Sequence, residues 1–142
     1  MVLKTIYWSD GKIFILDQRP LPVKERYIIC KTAEDVALAI ENMAIRGAPA
    51  IGVASALGLA LGARHIKAKT HSAFSRLFNK LCRRFESTRP TARNLFWAIN
   101  RMERVFEKCW EKSIDEIRRA LHREAFSILR EDIKANKRIG QY

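Results

Sequence analysis

Between Gly47 and Ala63 the chain runs for seventeen residues without a charged side chain. Read as a helix from about Pro49 to Arg64, this stretch is apolar on every side, with Ile51, Val53, Ala54, Ala56, Leu57, Leu59, Ala60 and Leu61 distributed all round the axis. A helix with no polar face has to be covered on all sides, so the rest of the chain is expected to wrap it. Gly52, Ser55, Gly58 and Gly62 fall close to one stripe, where a neighbouring backbone can approach. The run is shorter than the ~18 uninterrupted apolar residues of a membrane span. Met1 to Asp10 includes Lys4 and Asp10 and has no signal-peptide core. These features argue against a membrane-spanning or secreted protein. At 142 residues, 48 % apolar and 30 % charged, the chain has the size and composition of one globular domain.

Ahead of this helix the sequence reads as strands. Leu3–Trp8 and Lys12–Leu16 flank Ser9-Asp10-Gly11, and Asp-Gly between β-rich runs signals a tight hairpin because both turn positions need positive φ. Asp17 to Pro22, with two prolines, reads as a loop, and Arg26–Lys31 as a third strand. From Thr32 onward the pattern is helical. Thr32-Ala33-Glu34-Asp35 resembles a capping box, Val36, Ala39, Ile40 and Met43 share a face, and Gly47 looks like a terminator before Pro49 opens the next helix. Further helices are expected over His71–Phe85, Pro90–Lys112 and Ile114–Ile139. Ser113-Ile114-Asp115-Glu116 opens the last as a second capping box, and Gly140 stands where a C-terminal cap belongs. The last helix carries the stripe Ile117, Leu121, Ala125, Ile128, Leu129, Ile133. The fold class is therefore α+β: a small N-terminal antiparallel sheet of three strands, hairpin included, followed by a bundle of about five helices around a buried apolar helix.

Charge is the anomaly of composition. Twenty-seven Lys and Arg against fifteen acids give +12. From Gly62 to Arg93 nine bases (Arg64, Lys67, Lys69, Arg76, Lys80, Arg83, Arg84, Arg89, Arg93) face one acid, Glu86. Either this is an anion-binding surface, or it is a solvated face whose long side chains cover apolar area. A nucleic-acid partner is disfavoured, because Phe74, Phe78 and Phe85 recur at the spacing of a helix core rather than of a base-stacking platform. Cys30, Cys82 and Cys109 are odd in number and widely spaced, and His65, His71 and His122 have no metal-ligand spacing with them. Neither a disulfide framework nor a metal or other cofactor is expected, and a reducing cytoplasmic setting fits.

Two loops carry possible chemistry. Arg46-Gly47-Ala48-Pro49-Ala50-Ile51-Gly52 combines a turn, the free N–H groups of a helix start and a guanidinium fork suited to phosphate oxygens. Ser87-Thr88-Arg89-Pro90-Thr91-Ala92 repeats the theme, with Arg89 beside a helix N-terminus. Each is equally a plain helix start, and spacing alone does not decide whether the two arginines converge.

The two loops, extended to Ala54 and from Thr88 to Ala98, closely resemble the N-terminal signatures of methylthioribose-1-phosphate isomerases. These share a superfamily with ribose-1,5-bisphosphate isomerases and with regulatory subunits of the translation initiation guanine-nucleotide exchange factor. Thr5-Ile6-Tyr7-Trp8, Leu16 to Arg19, and Glu131-Asp132 with Asn136, Ile139 and Gly140 match in the same register. The resemblance implies an aldose–ketose isomerisation in methionine salvage, with 5-methylthioribose 1-phosphate converted to 5-methylthioribulose 1-phosphate. It implies that Arg46, Gly47, Ala48 and Arg89 hold the substrate phosphate, and that the catalytic Cys and Asp belong to a Rossmann-like C-terminal half. On that reading residues 1–142 are the N-terminal domain alone, inactive by itself, with no catalytic residue, a sugar phosphate and the C-terminal half as partners, and homo-oligomerisation possible through exposed aromatics such as Trp97 or Trp110. The alternatives are a ribose-1,5-bisphosphate isomerase and a non-catalytic regulatory module of the translation-factor branch. Arg93 departs from the small apolar residue typical of the family.

Overall fold

The chain opens on a hairpin whose turn is set by two residues. In the computed structural model, which describes residues 4–140, Asp10 and Gly11 take φ values of 53° and 71°. They join β1 (Ile6–Ser9) to β2 (Lys12–Leu16), with Ser9 opposite Lys12. β3 (Tyr27–Cys30) adds antiparallel to the free edge of β2, giving the sheet order β1-β2-β3. The first strand is shorter than Leu3–Trp8: Lys4 and Thr5 are outside it, and Leu3 lies outside the described residues. Ile6, Ile13, Ile15 and Cys30 point inward, and Tyr7 stacks on Phe14 on the outer face, their centroids 4.7 Å apart.

Five helices follow: α1 (Ala33–Glu41), α2 (Ala48–His65), α3 (His71–Glu86), α4 (Arg93–Lys108) and α5 (Ile114–Gly140). α2 is the axis of the bundle, every residue from Ile51 to Ala63 being buried, as its all-round apolar sequence requires. It packs on α1, α3, α4 and α5. Its small residues serve several neighbours instead of one stripe serving one partner. A Cβ on Gly52 would stand 3.0 Å from the Asn94 carbonyl of α4, whereas one on Gly58 would stand 2.5 Å from the Phe85 ring, and one on Gly62 2.7 Å from Leu81 of α3.

Local chemistry explains most boundaries. Thr32 and Asp35 form the expected capping box of α1, and the Thr70 hydroxyl accepts from the Ala73 N–H at the start of α3. At α5 the Ser113 hydroxyl accepts from the Glu116 N–H, but the Glu116 carboxylate accepts a hydrogen bond from the Ser113 hydroxyl instead of reaching the backbone, so only half of the second capping box forms. α1 ends at Glu41, well before Gly47: Met43 turns into the left-handed region at φ 62° and is exposed, leaving the face it was expected to share with Val36 and Ile40. Gly47 is accordingly the N-cap of α2 and not the end of α1. α4 begins at Arg93 instead of Pro90, because a turn closed by the Ala92 N–H on the Arg89 carbonyl precedes it. It also stops at Lys108, short of Lys112, and α5 continues through Gly140. No helix of the described residues is long and apolar enough to cross a membrane.

Phe74, Phe78 and Phe85 are buried, and the first two stack with Phe106 at 5.8 and 5.0 Å. The basic stretch between Gly62 and Arg93 is partly neutralised. Arg84 forks between Glu34 and Glu41, and Arg83 pairs with Glu86 and Glu103.

Candidate functional site

The helices divide by how their N-termini are satisfied. α1, α3 and α5 each have a hydroxyl side chain on a first-turn N–H. α2 and α4 have none. In α2, Pro49 has no N–H and the Ile51 N–H goes to the Gly47 carbonyl. That leaves the Ala48 and Ala50 N–H groups without a helical acceptor. In α4 the first bonds run from Leu95 and Phe96 to the Ala92 carbonyl, so Arg93 and Asn94 have free N–H groups. An uncapped N-terminus concentrates unpaired donors and about half a positive charge.

These two open ends lie side by side. Gly52, one turn into α2, faces the Asn94 carbonyl in the first turn of α4, and the 3.0 Å clearance for a Cβ shows why glycine stands there. The first turns share a depression of about 350 Å³ lined by Pro49, Gly52, Val53, Asn94 and Trp97, with Ile128, Glu131 and Asp132 of α5 on the far side.

Of the sequence candidates, Arg46, Gly47 and Ala48 are all exposed, immediately ahead of and at the start of α2. Gly47 has φ 86°, a conformation that L side chains rarely adopt, and nothing within 4 Å of where a Cβ would be, so it is the backbone and not crowding that requires glycine. Arg89 is half-buried in the turn before α4, and its Nη1 is fully buried without a hydrogen-bond partner. An unpaired buried guanidinium nitrogen is costly and calls for an acceptor. Thr88 beside it is buried and spends its hydroxyl on the Phe85 carbonyl at 2.6 Å. Arg93 is exposed.

The loop holding Arg46 is braced from the sheet. The Gln18 N–H donates to the Ala44 carbonyl, two residues before Arg46. Gln18 is fixed in turn by its neighbour Asp17, whose fully buried carboxylate accepts from the backbone and guanidinium of Arg19 and from Arg26. The Arg19 hydrogen bonds hold the Asp17 carboxyl far below the usual carboxylate range, against the opposing effect of burial.

Glu131 and Asp132 were not legible as pocket residues from pattern or spacing; only the family resemblance flagged them. Glu131 is occupied by Arg101, whose guanidinium also takes Glu124 and lies over Trp97 at 5.4 Å. The Asp132 carboxyl is pushed above its ordinary value by burial, although the Asn136 carboxamide donates to it at 3.3 Å. All three cysteines are free thiols; burial raises Cys30 to about 12 and lifts Cys82 as well, and none of the three lines the depression. Among the described residues no group of His, Cys, Asp and Glu could hold a metal.

Comparison with known proteins gives one consistent result. Residues 44–142 match the Initiation factor 2 subunit family. The chain is 48 % identical over 140 residues to the methylthioribose-1-phosphate isomerase of Koribacter versatilis, an alignment spanning 99 % of this chain and 40 % of that protein. The relation to the same-named protein of Geobacter metallireducens is similar, at 49 % identity and 41 % of its length. The crystal structure of 5-methylthioribose 1-phosphate isomerase from Pyrococcus horikoshii superposes with a TM-score of 0.94 at 42 % identity, over 99 % of this chain and 40 % of that one. Subunit delta of the translation initiation factor eIF-2B from A. fulgidus superposes with a TM-score of 0.77 at 36 % identity, over 93 % of this chain and 38 % of that one. The chain thus spans about 40 % of the length of the curated relatives it matches.

Proposed function

Because the chain belongs to the Initiation factor 2 subunit family, we propose that it supplies the N-terminal, phosphate-holding part of a methylthioribose-1-phosphate isomerase. The reaction is the conversion of 5-methylthioribose 1-phosphate to 5-methylthioribulose 1-phosphate, within methionine salvage. Arg46, Gly47 and Ala48 at the start of α2, with Arg89 before α4, hold the ester phosphate. The observation that carries this reading is the side-by-side placement of two uncapped helix N-termini; the unpartnered Nη1 of Arg89, in the turn before α4, supports it, although Arg46, Gly47, Ala48 and Arg89 are not among the residues that line the depression. A dianionic phosphate is the kind of acceptor these donors call for, taking backbone N–H groups and a charge-assisted guanidinium bond.

Holding the phosphate is a binding task and not the hydrogen shift. Moving hydrogen between C1 and C2 needs a group that takes a proton and another that returns it. Cys30 and Cys82 are buried and Cys109 does not line the depression, and we assign those roles to a Rossmann-like C-terminal half that packs over the Trp97 side of the depression. The chain by itself is then a substrate-binding domain without turnover, working in the cytoplasm. A purely regulatory role, as in the translation-factor branch, is the second reading. It is favoured less, because the likeness to the isomerase structure is closer.

The test mixes the chain with the remaining C-terminal part of a related isomerase and assays 5-methylthioribose 1-phosphate. Turnover in the mixture and none with the chain alone is the expected result. Arg89→Ala in the mixture should lower kcat/KM by about tenfold or more, the value of a charge-assisted hydrogen bond. Demonstrated association without turnover, or an unchanged kcat/KM for Arg89→Ala, overturns the assignment.

A further inference from the structure

At the other end of α2, ~27 Å away for 18 residues at 1.5 Å each, cations gather without acids to match them. Arg64 of α2 and Arg118, Arg119 and His122 of α5 line a depression of about 480 Å³, with Asp115 as its one carboxylate. That carboxylate is already taken, accepting from Arg118 Nη1 at 2.8 Å.

Arg118 has a structural task that fixes it in place. Its Nε donates to the Ala63 carbonyl and its Nη2 to the Ile66 carbonyl, closing the C-terminal end of α2. Cations are favoured at a helix C-terminus, and this accounts for Arg118. It also favours Arg64, in the last turn of α2, but it does not account for Arg119 or for Arg64 being left without an acidic partner. Among the described residues neither takes part in an ion pair, and the charged residues of the nearby hairpin, Asp10 and Lys12, take part in none either. Arg64 is held over the Trp8 ring at 5.6 Å, and its Nη1 lies beside the hairpin turn, 3.7 Å from where a Cβ on Gly11 would be. His122 is wedged between Trp8 and Phe126, with ring centroids 5.1 and 4.5 Å away. Arg64 and the imidazole are thus held by aromatic packing, with exposed Arg119 beside them, around a depression with no free negative charge in its lining.

We propose that Arg64, Arg119 and His122 form a second anion site, with Arg118 as its fixed wall, for the phosphoryl group of a small phosphorylated molecule. Guanidinium forks match phosphate oxygens in a bidentate way, and the depression is of the size that takes a small ligand. The site lies at the opposite end of α2 from Arg46 and Arg89, so a ligand here is not the substrate of the first site. Burial lowers the affinity of His122 for a proton, and the cations Arg64 and Arg123 lower it further. A bound dianion reverses the electrostatic part of this, so anion affinity rises as pH falls through the imidazole range.

Inorganic pyrophosphate, titrated at constant ionic strength, is the probe, with the imidazole C–H resonances of the full chain as the readout. Saturation should raise the titration midpoint of His122 by about one pH unit, the effect of an opposite charge within hydrogen-bonding range, while exposed His65 moves little. Arg64→Ala combined with Arg119→Ala should weaken the response at least tenfold, and Arg46→Ala with Arg89→Ala should leave it intact, which separates this site from the first. A His122 midpoint that moves no more than that of His65, or a response that survives in the Arg64→Ala, Arg119→Ala protein, overturns the proposal. So does a hexaglutamate peptide that moves His122 at lower concentration than pyrophosphate does, since that would make this face a dock for an acidic polypeptide.

Discussion

Replacing Asp17 with Asn removes a charge while keeping the shape, and it tests whether the sheet braces the Arg46 loop. The carboxylate is fully buried and accepts four hydrogen bonds: from the Arg19 backbone at 3.0 Å, Arg19 Nε at 2.9 Å, Arg19 Nη2 at 2.8 Å and Arg26 Nε at 3.1 Å. An Asn side chain retains one acceptor oxygen and turns an amide toward the guanidinium groups, so the contacts of one oxygen are lost. Hydrogen bonds to charged groups are worth about 1.5–3 kcal/mol each. The two arginine side chains are 40 % and 51 % exposed and recover water when released, which places the loss near the lower end of that range. The expected cost is about 2–3 kcal/mol, or a fall in Tm of roughly 8 °C at this chain length. The pH dependence has a definite sign. The folded carboxyl titrates well below its unfolded value, so its stabilisation is complete above about pH 4 and is lost as pH falls toward the folded pKa. Thermal melts of both proteins should therefore show a gap that is constant from pH 7 to about pH 5 and narrows below pH 4. A gap under about 2 °C at pH 7, or one that stays constant down to pH 2, would refute the account.

Two further outcomes follow from the packing of the core. Gly58→Ala places a Cβ 2.5 Å from the Phe85 ring and 3.1 Å from Val36; overpacking of this kind costs about 1–3 kcal/mol, and urea unfolding should show the loss despite alanine's better helix propensity. Of the three free thiols, Cys30 and Cys82 are buried and Cys109 is half-buried. A disulfide reagent at neutral pH should label Cys109 alone in the folded chain, and rapid labelling of a second thiol without denaturant would contradict the packing around β3 and α3.

What the sequence revealed depended on whether a feature is fixed by neighbours in the chain. Asp10-Gly11 announces a hairpin because the two turn conformations are local, and the absence of charge from Gly47 to Ala63 announces a central helix because burial must follow. Thr32 and Asp35 likewise state their cap in four residues. The end of α1 was hidden because Met43, not a glycine, takes the left-handed conformation, and only the surrounding tertiary structure selects that. The start of α4 was hidden because Pro90 suits a first helical turn as well as it suits the loop it occupies. The clamp on Asp17 needs Arg26 from beyond a proline loop, and the depression needs Asp132 from a helix that begins sixty-seven residues after Gly47. Neither distance is written in a local pattern. The lesser reach of Gly52, Gly58 and Gly62 as a shared stripe has the same cause, since a buried helix meets several neighbours and the sequence does not say which small residue faces which.

The places where this chain departs from local rules are themselves informative. Capping is inexpensive, a single Ser, Thr, Asp or Asn being worth about 1 kcal/mol, and the chain uses it at α1, α3 and α5. It forgoes a capping side chain at α2 and α4, where Gly47 and Ala92 stand, and it places Arg46 and Arg89 beside the two ends left open. Like charges and partial charges accumulated in this way destabilise the free protein. The cost is tolerable because α2 is held along its whole buried length by four other helices. A core that rigid can fix two uncapped, electropositive ends next to each other while relying on neither for its own stability. Two adjacent helix starts left without capping side chains, where the other helices have them, fit the proposed phosphate site, kept ready before its ligand arrives.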